Sequence, residues 1–283
     1  MDNPLAARFE DTRPHLRAVA YRMLGSLPEA DDAVQESWLR ISRREHDDIA
    51  NWTAWLTTVV GRVCLDMLRA RRARPEDPVG AHPPEHAGTS ADPEQEAVLA
   101  DSVGVALLVV LDALGPAERL AFVLHDLFAV PFDEIAPIVG RSATAARQLA
   151  SRARRRVRGA PVGEAGADQR RAVVEAFLNA SRDGDFDALL ALLDPDVEVT
   201  ADLGPATRTV RGARAVAGQA LLFATRGRFA APALVDGETG IVVAPRGRLV
   251  TTLTFTVHHG RITGLHVVAD PELLARQTIG LLD

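Results

Sequence analysis

The chain has 283 residues, 47% of them hydrophobic and 25% charged, with a formal net charge of −6. That length accommodates two or three domains, and the balance is that of ordinary globular folds. No apolar run approaches the ~20 residues needed to span a bilayer. Met1-Asp2-Asn3-Pro4 lacks the basic flank and apolar stretch of a secretory signal. A single cysteine, Cys64, excludes an internal disulfide framework. A cytoplasmic protein without a membrane segment is therefore expected. All 32 basic residues are arginine, a usage typical of GC-rich bacterial genomes.

Residues 1–74 read as helical. Ser26 is placed to cap a helix with Pro28 in its first turn and Glu29, Asp31 and Asp32 at the positive end of the helix dipole. Ala33, Val34, Trp38, Leu39 and Ile41 then recur at helical spacing. A polar stretch, Ser42 to Ala50, breaks the pattern, and Asn51 caps the next helix. Trp52, Leu56, Val59, Val60, Val63, Cys64, Met67 and Leu68 form its apolar stripe, which makes Cys64 a core residue. Arg69, Arg71, Arg72 and Arg74 end it before Pro75.

Residues 75–101 carry five prolines, seven acids and no arginine, the composition of a linker. His82 and His86 have an i,i+4 spacing there, but a proline-rich segment gives a metal pair no helical support. Helical periodicity returns at Val98, Val103, Leu107, Leu108 and Leu111. After Gly115-Pro116 come a helix over 117–128 and a helix-turn-helix over 132–158. Phe132, Ile135, Ala136 and Val139 pack the supporting helix, and Gly140 supplies the positive φ of the turn. Ser142 caps the second helix, whose inner face is Ala145, Leu149, Ala153 and Val157.

From Arg141 to Arg158 there are seven arginines and no acid. Unopposed arginine on one helix of an acidic protein points to a polyanion, and the helix-turn-helix makes it DNA. Ser142, Thr144, Arg147, Gln148, Ser151, Arg152, Arg155 and Arg156 form the outward side, the earlier ones for base edges and the later ones for phosphates. A second cluster, Arg62 to Arg74, follows Trp52 and Trp55. Rings beside guanidiniums suit melted strands, whose bases stack while arginine holds the backbone, although Trp52 is equally well placed for the core.

A short linker over 161–167 leads into an α+β segment, 168–283. A helix from Asp168 to Ser181 stops at Gly184, and a shorter one covers 186–193. Strands are expected at 197–200, 241–244, 249–257 and 262–268. In the longest, Leu253, Phe255 and Val257 alternate with Thr252, Thr254, Thr256 and His258, the signature of a sheet with one packed face.

"GSLPEADDAVQESWLRI", "NWTAWLTTVVGRVCLDMLRARRAR" and "LGPAERLAFVLHDLFAVPFDEIAPIVGRSATAARQLASRARRRV" together resemble the bacterial extracytoplasmic-function sigma factors over about 150 residues. The resemblance implies two all-α sigma domains, region 2 over 1–74 and region 4 over 96–160, joined by the 75–95 linker. It implies core RNA polymerase, clamp and flap, and promoter DNA as partners. Asp31, Asp32 and Glu36 correspond to the polymerase-binding helix. The 42–51 loop, Asn51, Trp52, Trp55, Arg62, Arg69 and Arg72 correspond to the −10 and melting surface, and the outward side of 142–158 to the −35 reader.

The segment "RRAVVEAFLNASRDGDFDALLALLDPDVEVTADLG" with its strands is similar to the cone-shaped SnoaL-like fold. A subgroup of these sigma factors carries such a domain, which implies regulation in cis without a separate anti-sigma factor. Of the two motifs of that subgroup, the linker keeps only Pro84-Glu85, and Asp270-Pro271-Glu272-Leu273 resembles the terminal one. A glycine-rich motif is reduced to Asp202-Leu203-Gly204-Pro205. SnoaL-type enzymes use an acid or histidine inside the cone, for which Asp202, His258, His259 and His266 are the candidates; strand alternation sends His258 and His259 to opposite faces. No cofactor is implied, and the chain is read as a non-enzyme. The competing readings are a stand-alone helix-turn-helix regulator with a ligand-sensing C-terminal domain, and a SnoaL-like enzyme with a DNA-binding part. Finally, the acidic linker is expected to lie against the arginines at 62–74 and 141–158 in the free protein.

Overall fold

Proline, asparagine and glycine set most helix boundaries in this chain. The computed structural model describes residues 4–42, 49, 51–73, 104–158, 167–222 and 227–282. The linker with His82, Pro84, Glu85 and His86, and most of the 42–51 loop, lie outside the described residues. Two compact units divide the chain: Met1–Glu96 with Leu111–Arg155, and Ala97–Val110 with Arg156–Asp283. Two of the boundaries fall within helices, Val105–Asp112 and Ala143–Arg158, so the units cut across the 1–74, 96–160 and 168–283 blocks.

The first unit opens with α1 (Pro4–Leu24), α2 (Leu27–Ile41) and α3 (Trp52–Ala73). The three helices pack on one another, and Phe9, Leu16, Tyr21 and Met23 of α1, Leu27 and Val34 of α2 and Leu56, Val60 and Cys64 of α3 are all buried. Cys64 is wholly buried, and burial pushes its thiol pKa far up, so it packs as a small hydrophobe. Asn51 caps α3 as expected, its Oδ1 accepting from Ala54 N at 3.0 Å. Ser26 stands at the start of α2 in an extended conformation, yet its hydroxyl takes no helix N–H. A capping oxygen reaches the second or third N–H of the helix, and Pro28 removes one of those donors.

α4 (Val105–Asp112) is followed by α5 (Pro116–Phe122), which widens into a π turn over Val123–Leu127. α6 (Phe132–Val139) and α7 (Ala143–Arg158) form the helix-turn-helix. Gly140 adopts φ 69°, and the N–H of Arg141 returns to the Ala136 carbonyl at 3.0 Å, closing α6.

The second unit holds α8 (Ala167–Asp183), α9 (Phe186–Leu192), α10 (Ala213–Leu222), a short α11 (Pro271–Leu274) and one sheet. Its strands are β1 (Leu193–Asp202), β2 (Thr207–Arg211), β3 (Ala230–Val235), β4 (Glu238–Val243), β5 (Thr251–His258), β6 (Arg261–Val268) and β7 (Ile279–Gly280). They are ordered β2-β1-β6-β5-β4-β3-β7, parallel only between β1 and β6. The expected strands are present; β2, β3 and β7 were not anticipated. Pro232 and three alanines hide β3, and β7 has only two residues.

Both faces of the sheet are apolar, in different places. On one, Val197, Val199, Ile241, Phe255, Ile262 and Leu265 pack against Val174, Phe177, Leu189 and Val216 of α8, α9 and α10. A register shift opposite Thr256/Val257 keeps both Ile262 and Leu265 on that face although they are three residues apart. On the other, Ala233, Val235, Val242 and Ala244 pack against Val105, Ala106 and Val109 of α4. Up to its last residue, the exposed Asp112, α4 is apolar on every side and is buried or half-buried throughout, as an apolar helix must be.

Two predictions follow from these cores. A Cβ added at Gly240, which pairs with Thr254 inside the sheet, collides with the Leu253 carbonyl oxygen. Gly240→Ala is therefore expected to cost about 1–3 kcal/mol in chemical denaturation. His15, in the first unit, has Nε2 3.0 Å from Thr57 Oγ1 and its ring edge-on to Phe128 at 5.3 Å. Burial, and then the charge of Arg22, hold its pKa below the ordinary 6.5. The unfolded chain thus binds this proton first, so the native state loses stability as pH falls below about 6.5. The urea midpoint should drop between pH 7.5 and 5.5, and less so in His15→Gln.

Candidate nucleic-acid interface

On α7 the apolar residues Ala146, Leu149, Ala150, Ala153 and Val157 are buried. Ala145, expected on this inner face, is only half-buried, because Ala146 and Ala150 take the contact. Ser142, Thr144, Arg147, Gln148, Ser151, Arg152, Arg155 and Arg156 are all exposed. Ser142 caps the helix, its Oγ accepting from Ala145 N at 3.2 Å.

The arginines on this surface are not equivalent. Arg152 Nε lies 3.0 Å from Glu118 Oε1, and Arg154 Nε lies 2.6 Å from Asp126 Oδ1. Acids from α5 and the π turn therefore occupy two guanidiniums that the helix sequence presents as unopposed. Arg147 places its guanidinium 5.3 Å from the centre of the Phe132 ring of α6, a cation–π contact. Arg155 is exposed among them.

The α3 surface starts at Asn51, whose side chain is spent on the cap. Trp52 and Trp55 are both half-buried and meet edge to face, with centroids 5.5 Å apart. Arg8 of α1 reaches over Trp52 at 5.2 Å. Both indoles are thus partly engaged in packing and partly exposed. Arg69 is exposed. Arg62 and Arg72 each donate an N–H to a backbone carbonyl in the helix-turn-helix half: Pro137 O at 3.4 Å and Leu114 O at 2.8 Å. Arg71 grips both carboxylate oxygens of Glu29 and ties α3 to the first turn of α2.

On α2, Asp31, Asp32 and Glu36 are exposed on one flank. Asp31 accepts two bonds from Arg17 of α1, at 2.7 and 3.0 Å, and Glu36 pairs with Arg40 at 2.9 Å. Exposed pairs like these are weak and readily exchanged for an intermolecular partner.

In the C-terminal unit, Asp202 Oδ1 accepts from the Thr207 hydroxyl at 2.7 Å, and Oδ2 lies 2.8 Å from His266 Nε2. These bonds, Thr207's first, hold the Asp202 pKa below the usual carboxylate range. Asp202, His258 and His266 are out of phase with Val197, Val199, Val257, Leu265 and Val267 of the packed face, so they lie on the opposite side of the sheet. His259 sits in the β5–β6 turn at φ 50°. The core face that a proton shuttle would have to line is instead filled by residues such as Phe177, Leu189 and Phe255. Asp270 caps α11, accepting from Glu272 N and Leu273 N at 2.7 and 3.0 Å with Pro271 in the first turn; Glu272 and Leu273 are exposed.

One residue that the sequence reading passed over is Arg119. It is only 4% exposed, and its guanidinium bridges the Met23 carbonyl of α1 at 3.0 Å and Asp112 Oδ1 at 2.8 Å. Nothing in the run "GPAERLAF" separates a buried arginine from a solvated one, since its acceptors come from other elements.

Residues 8–74 match the family model for Sigma-70 region 2, and residues 104–157 that for Sigma-70 region 4. The chain is 40% identical over 287 residues to the ECF RNA polymerase sigma factor SigJ of Mycobacterium tuberculosis (strain ATCC 25618 / H37Rv), covering 94% of this chain and 92% of that one. The chain belongs to the ECF RNA polymerase sigma factors. It is also 36% identical over 284 residues to the probable ECF RNA polymerase sigma factor SigI of Mycobacterium tuberculosis (strain CDC 1551 / Oshkosh), covering 96% and 95% of the two chains. The crystal structure of Mycobacterium tuberculosis SigJ matches at 37% identity with a TM-score of 0.46, over 94% of this chain and 97% of that one. In this sigma factor, the region 2 match therefore comprises most of α1 with α2 and α3, and the region 4 match comprises α4 to α7. The SnoaL-like α+β segment follows both. Among the described residues, no helix is long and apolar enough to cross a membrane.

Proposed function

We propose that this sigma factor binds core RNA polymerase through the α2 flank of Asp31, Asp32 and Glu36, reads the −35 element with α7 and engages the melted −10 strand with the Trp52–Trp55 end of α3. The clamp and flap are the expected polymerase contacts. The domains assigned are region 2 over 1–74, region 4 over 96–160 and a regulatory domain over 168–283, which controls region 4 in cis, with no separate anti-sigma factor required. Exposure of the whole outward row of α7 supports the −35 assignment.

One observation carries the cis-control reading: the C-terminal sheet shares a core with region 4's own first helix. Val105, Ala106 and Val109 of α4 pack on Ala233, Val235, Val242 and Ala244. At the other end of region 4, the N–H of Leu281 donates to the Val157 carbonyl at 2.9 Å, in the last turn of α7. The terminal carbonyls of a helix have no partner inside it, so this bond caps α7 from outside. The first and last helices of region 4 are thereby held by the segment proposed to control it. The stand-alone regulator has no comparable support, since it leaves the acidic flank of α2 without a role.

The test is transcription in vitro from a candidate promoter with purified core polymerase. Full-length protein should give a polymerase-dependent transcript whose yield changes on truncation after Arg158. Val109→Asp in the full chain places an unpaired carboxylate in the shared core and should shift the yield in the same direction, within about twofold of the truncation. An effect of truncation without an effect of Val109→Asp would remove α4 as the route. No effect of either would end the cis-control proposal.

For DNA, holoenzyme carrying Arg147→Ala should lose selectivity at one promoter position, by about 1–3 kcal/mol. Arg155→Ala should weaken all sequences alike and reduce the log K against log salt slope by about 1. Arg154→Ala, whose guanidinium belongs to Asp126, should leave that slope unchanged. Equal slopes for all three variants would contradict the assignment.

A further inference from the structure

Arg147 on α7 has a support two contacts deep. Its guanidinium lies 5.3 Å from the centre of the Phe132 ring. Phe132 in turn stacks on the imidazole of His125, with ring centres 3.8 Å apart and planes 28° from parallel. Ring pairs usually stand roughly 4.5–7 Å apart, so Phe132 has no slack on that side. Phe132 is buried, His125 half-buried and Arg147 exposed, which makes a stack running from the interior to the outward row of α7. Its members come from the π turn, the start of α6 and the early part of α7.

His125 is fixed from within its own turn. Its Nδ1 lies 3.0 Å from the Val130 carbonyl, and because a carbonyl only accepts, Nδ1 carries the proton. Its own carbonyl accepts from Ala129 N at 3.1 Å, and Val130 N returns to the Leu124 carbonyl at 2.9 Å. Ala129 sits at φ 54°, a conformation that disfavours any residue with a Cβ and persists only where surrounding bonds impose it. Backbone and imidazole thus close the turn together, and Pro131 opens α6 directly after it. The next residue, Asp126, accepts from Arg154 Nε at 2.6 Å. One π turn therefore addresses two arginines of α7, one through Phe132 and one by an ion pair. Such turns within helices frequently mark functional sites.

An arginine side chain is rotamer-rich, and ordering it on a base edge opposes binding unless it is already placed. The face of the Phe132 ring attracts the guanidinium and so selects among its rotamers. That selection is sharp only if the ring itself does not move. We propose that His125 is a positioning residue for promoter reading: by stacking on Phe132 it fixes the ring that places Arg147, and so sets how well α7 tells one base pair from another. The inference rests on the assignment of α7 to the −35 element and extends it to a residue that acts through two others.

Two substitutions separate the ring from the bond. His125→Phe keeps a ring against Phe132 and loses the donor to Val130. His125→Asn keeps a donor near the position of Nδ1 and loses the ring. The experiment uses holoenzyme made from the full chain and core polymerase, with a promoter pool in which every base pair of the −35 element is varied. Selectivity at each position is the binding ratio of the preferred base pair to the next. Arg147→Ala should flatten one position by about tenfold. His125→Asn should flatten that same position by about two- to fivefold, the size of an exposed cation–π contact, and leave the others unchanged. His125→Phe should stay within about 1.5-fold of wild type, since a stacked ring remains. In an Arg147→Ala background, His125→Asn should change nothing further.

A second readout needs no DNA. In the free, arginine-labelled protein the Arg147 δ-methylene protons, assigned by their loss in Arg147→Ala, should carry a ring-current shift from Phe132. That shift should vanish in His125→Asn and persist in His125→Phe. The reverse order in either readout, with Asn normal and Phe impaired, would mean that His125 only closes its turn, and would overturn the proposal. Flattening spread over every position, or a further loss in the Arg147→Ala background, would overturn it too. Should His125→Asn fail to unfold cooperatively, Phe132→Leu, which removes the central ring and keeps an apolar side chain, decides by the same flattened position. An Arg147→Ala holoenzyme with unchanged selectivity ends the α7 assignment and this inference together, whereas failure of the inference alone appears only in the histidine variants.

Discussion

A twisted sheet with apolar residues on both faces has to be covered on both, and the rest of this architecture follows from how that is met. Helices α8, α9 and α10 cover one face from within the C-terminal segment. The second face, around Val235 and Val242, is covered by α4, more than a hundred residues earlier in the chain. Burial of apolar area is worth about 25 cal/mol per Å². Val105, Ala106 and Val109 of α4 are all buried in that contact, which is what holds the helix on the sheet. Because α4 is also the first helix of the region 4 match, a requirement of one domain's core fixes an element of another.

Arginine performs a second kind of organisation. With no lysine in the chain, every cation is a planar fork able to bond two acceptors at once. Some of these forks cap helix ends, as Arg119 does at Met23 O and Arg72 at Leu114 O. Others are neutralised by acids of neighbouring helices, as Arg152 is by Glu118 and Arg154 by Asp126. What remains outward on α7 is narrower than the arginine count suggests. Binding strength to a polyanion depends on guanidiniums that are free, whereas composition reports all of them.

Much of the fold was legible in the sequence because it rests on local rules. Gly140 at positive φ, Asn51 and Ser142 as caps, and the period-two alternation of β5 each involve residues within a few positions of one another. The failures have equally definite causes. Ser26 loses its capping role because Pro28 lacks an N–H. β3 is not among the expected strands because Pro232 and the alanines carry no strand signal, yet pairing with β4 and β7 on its two sides defines it. The histidines of the C-terminal segment could be sorted by alternation but not assigned a face until the packed side was known.

The sequence by itself determined the elements, their order and the family: three motif-bearing stretches in the sigma-factor arrangement, then an α+β segment, each encoded by short-range periodicity and capping. Only the tertiary structure decided which side chains those elements keep available. Arg62, Arg72, Arg152 and Arg154 belong to the arginine clusters read as binding surfaces, and Arg119 carries no signal at all, yet each is claimed by an acceptor from another element. α4 reads as the opening of a helix-turn-helix domain and serves as the cover of a sheet. The reason is common to both: a hydrogen-bond acceptor or an apolar face supplied by a distant segment leaves no mark on the local pattern.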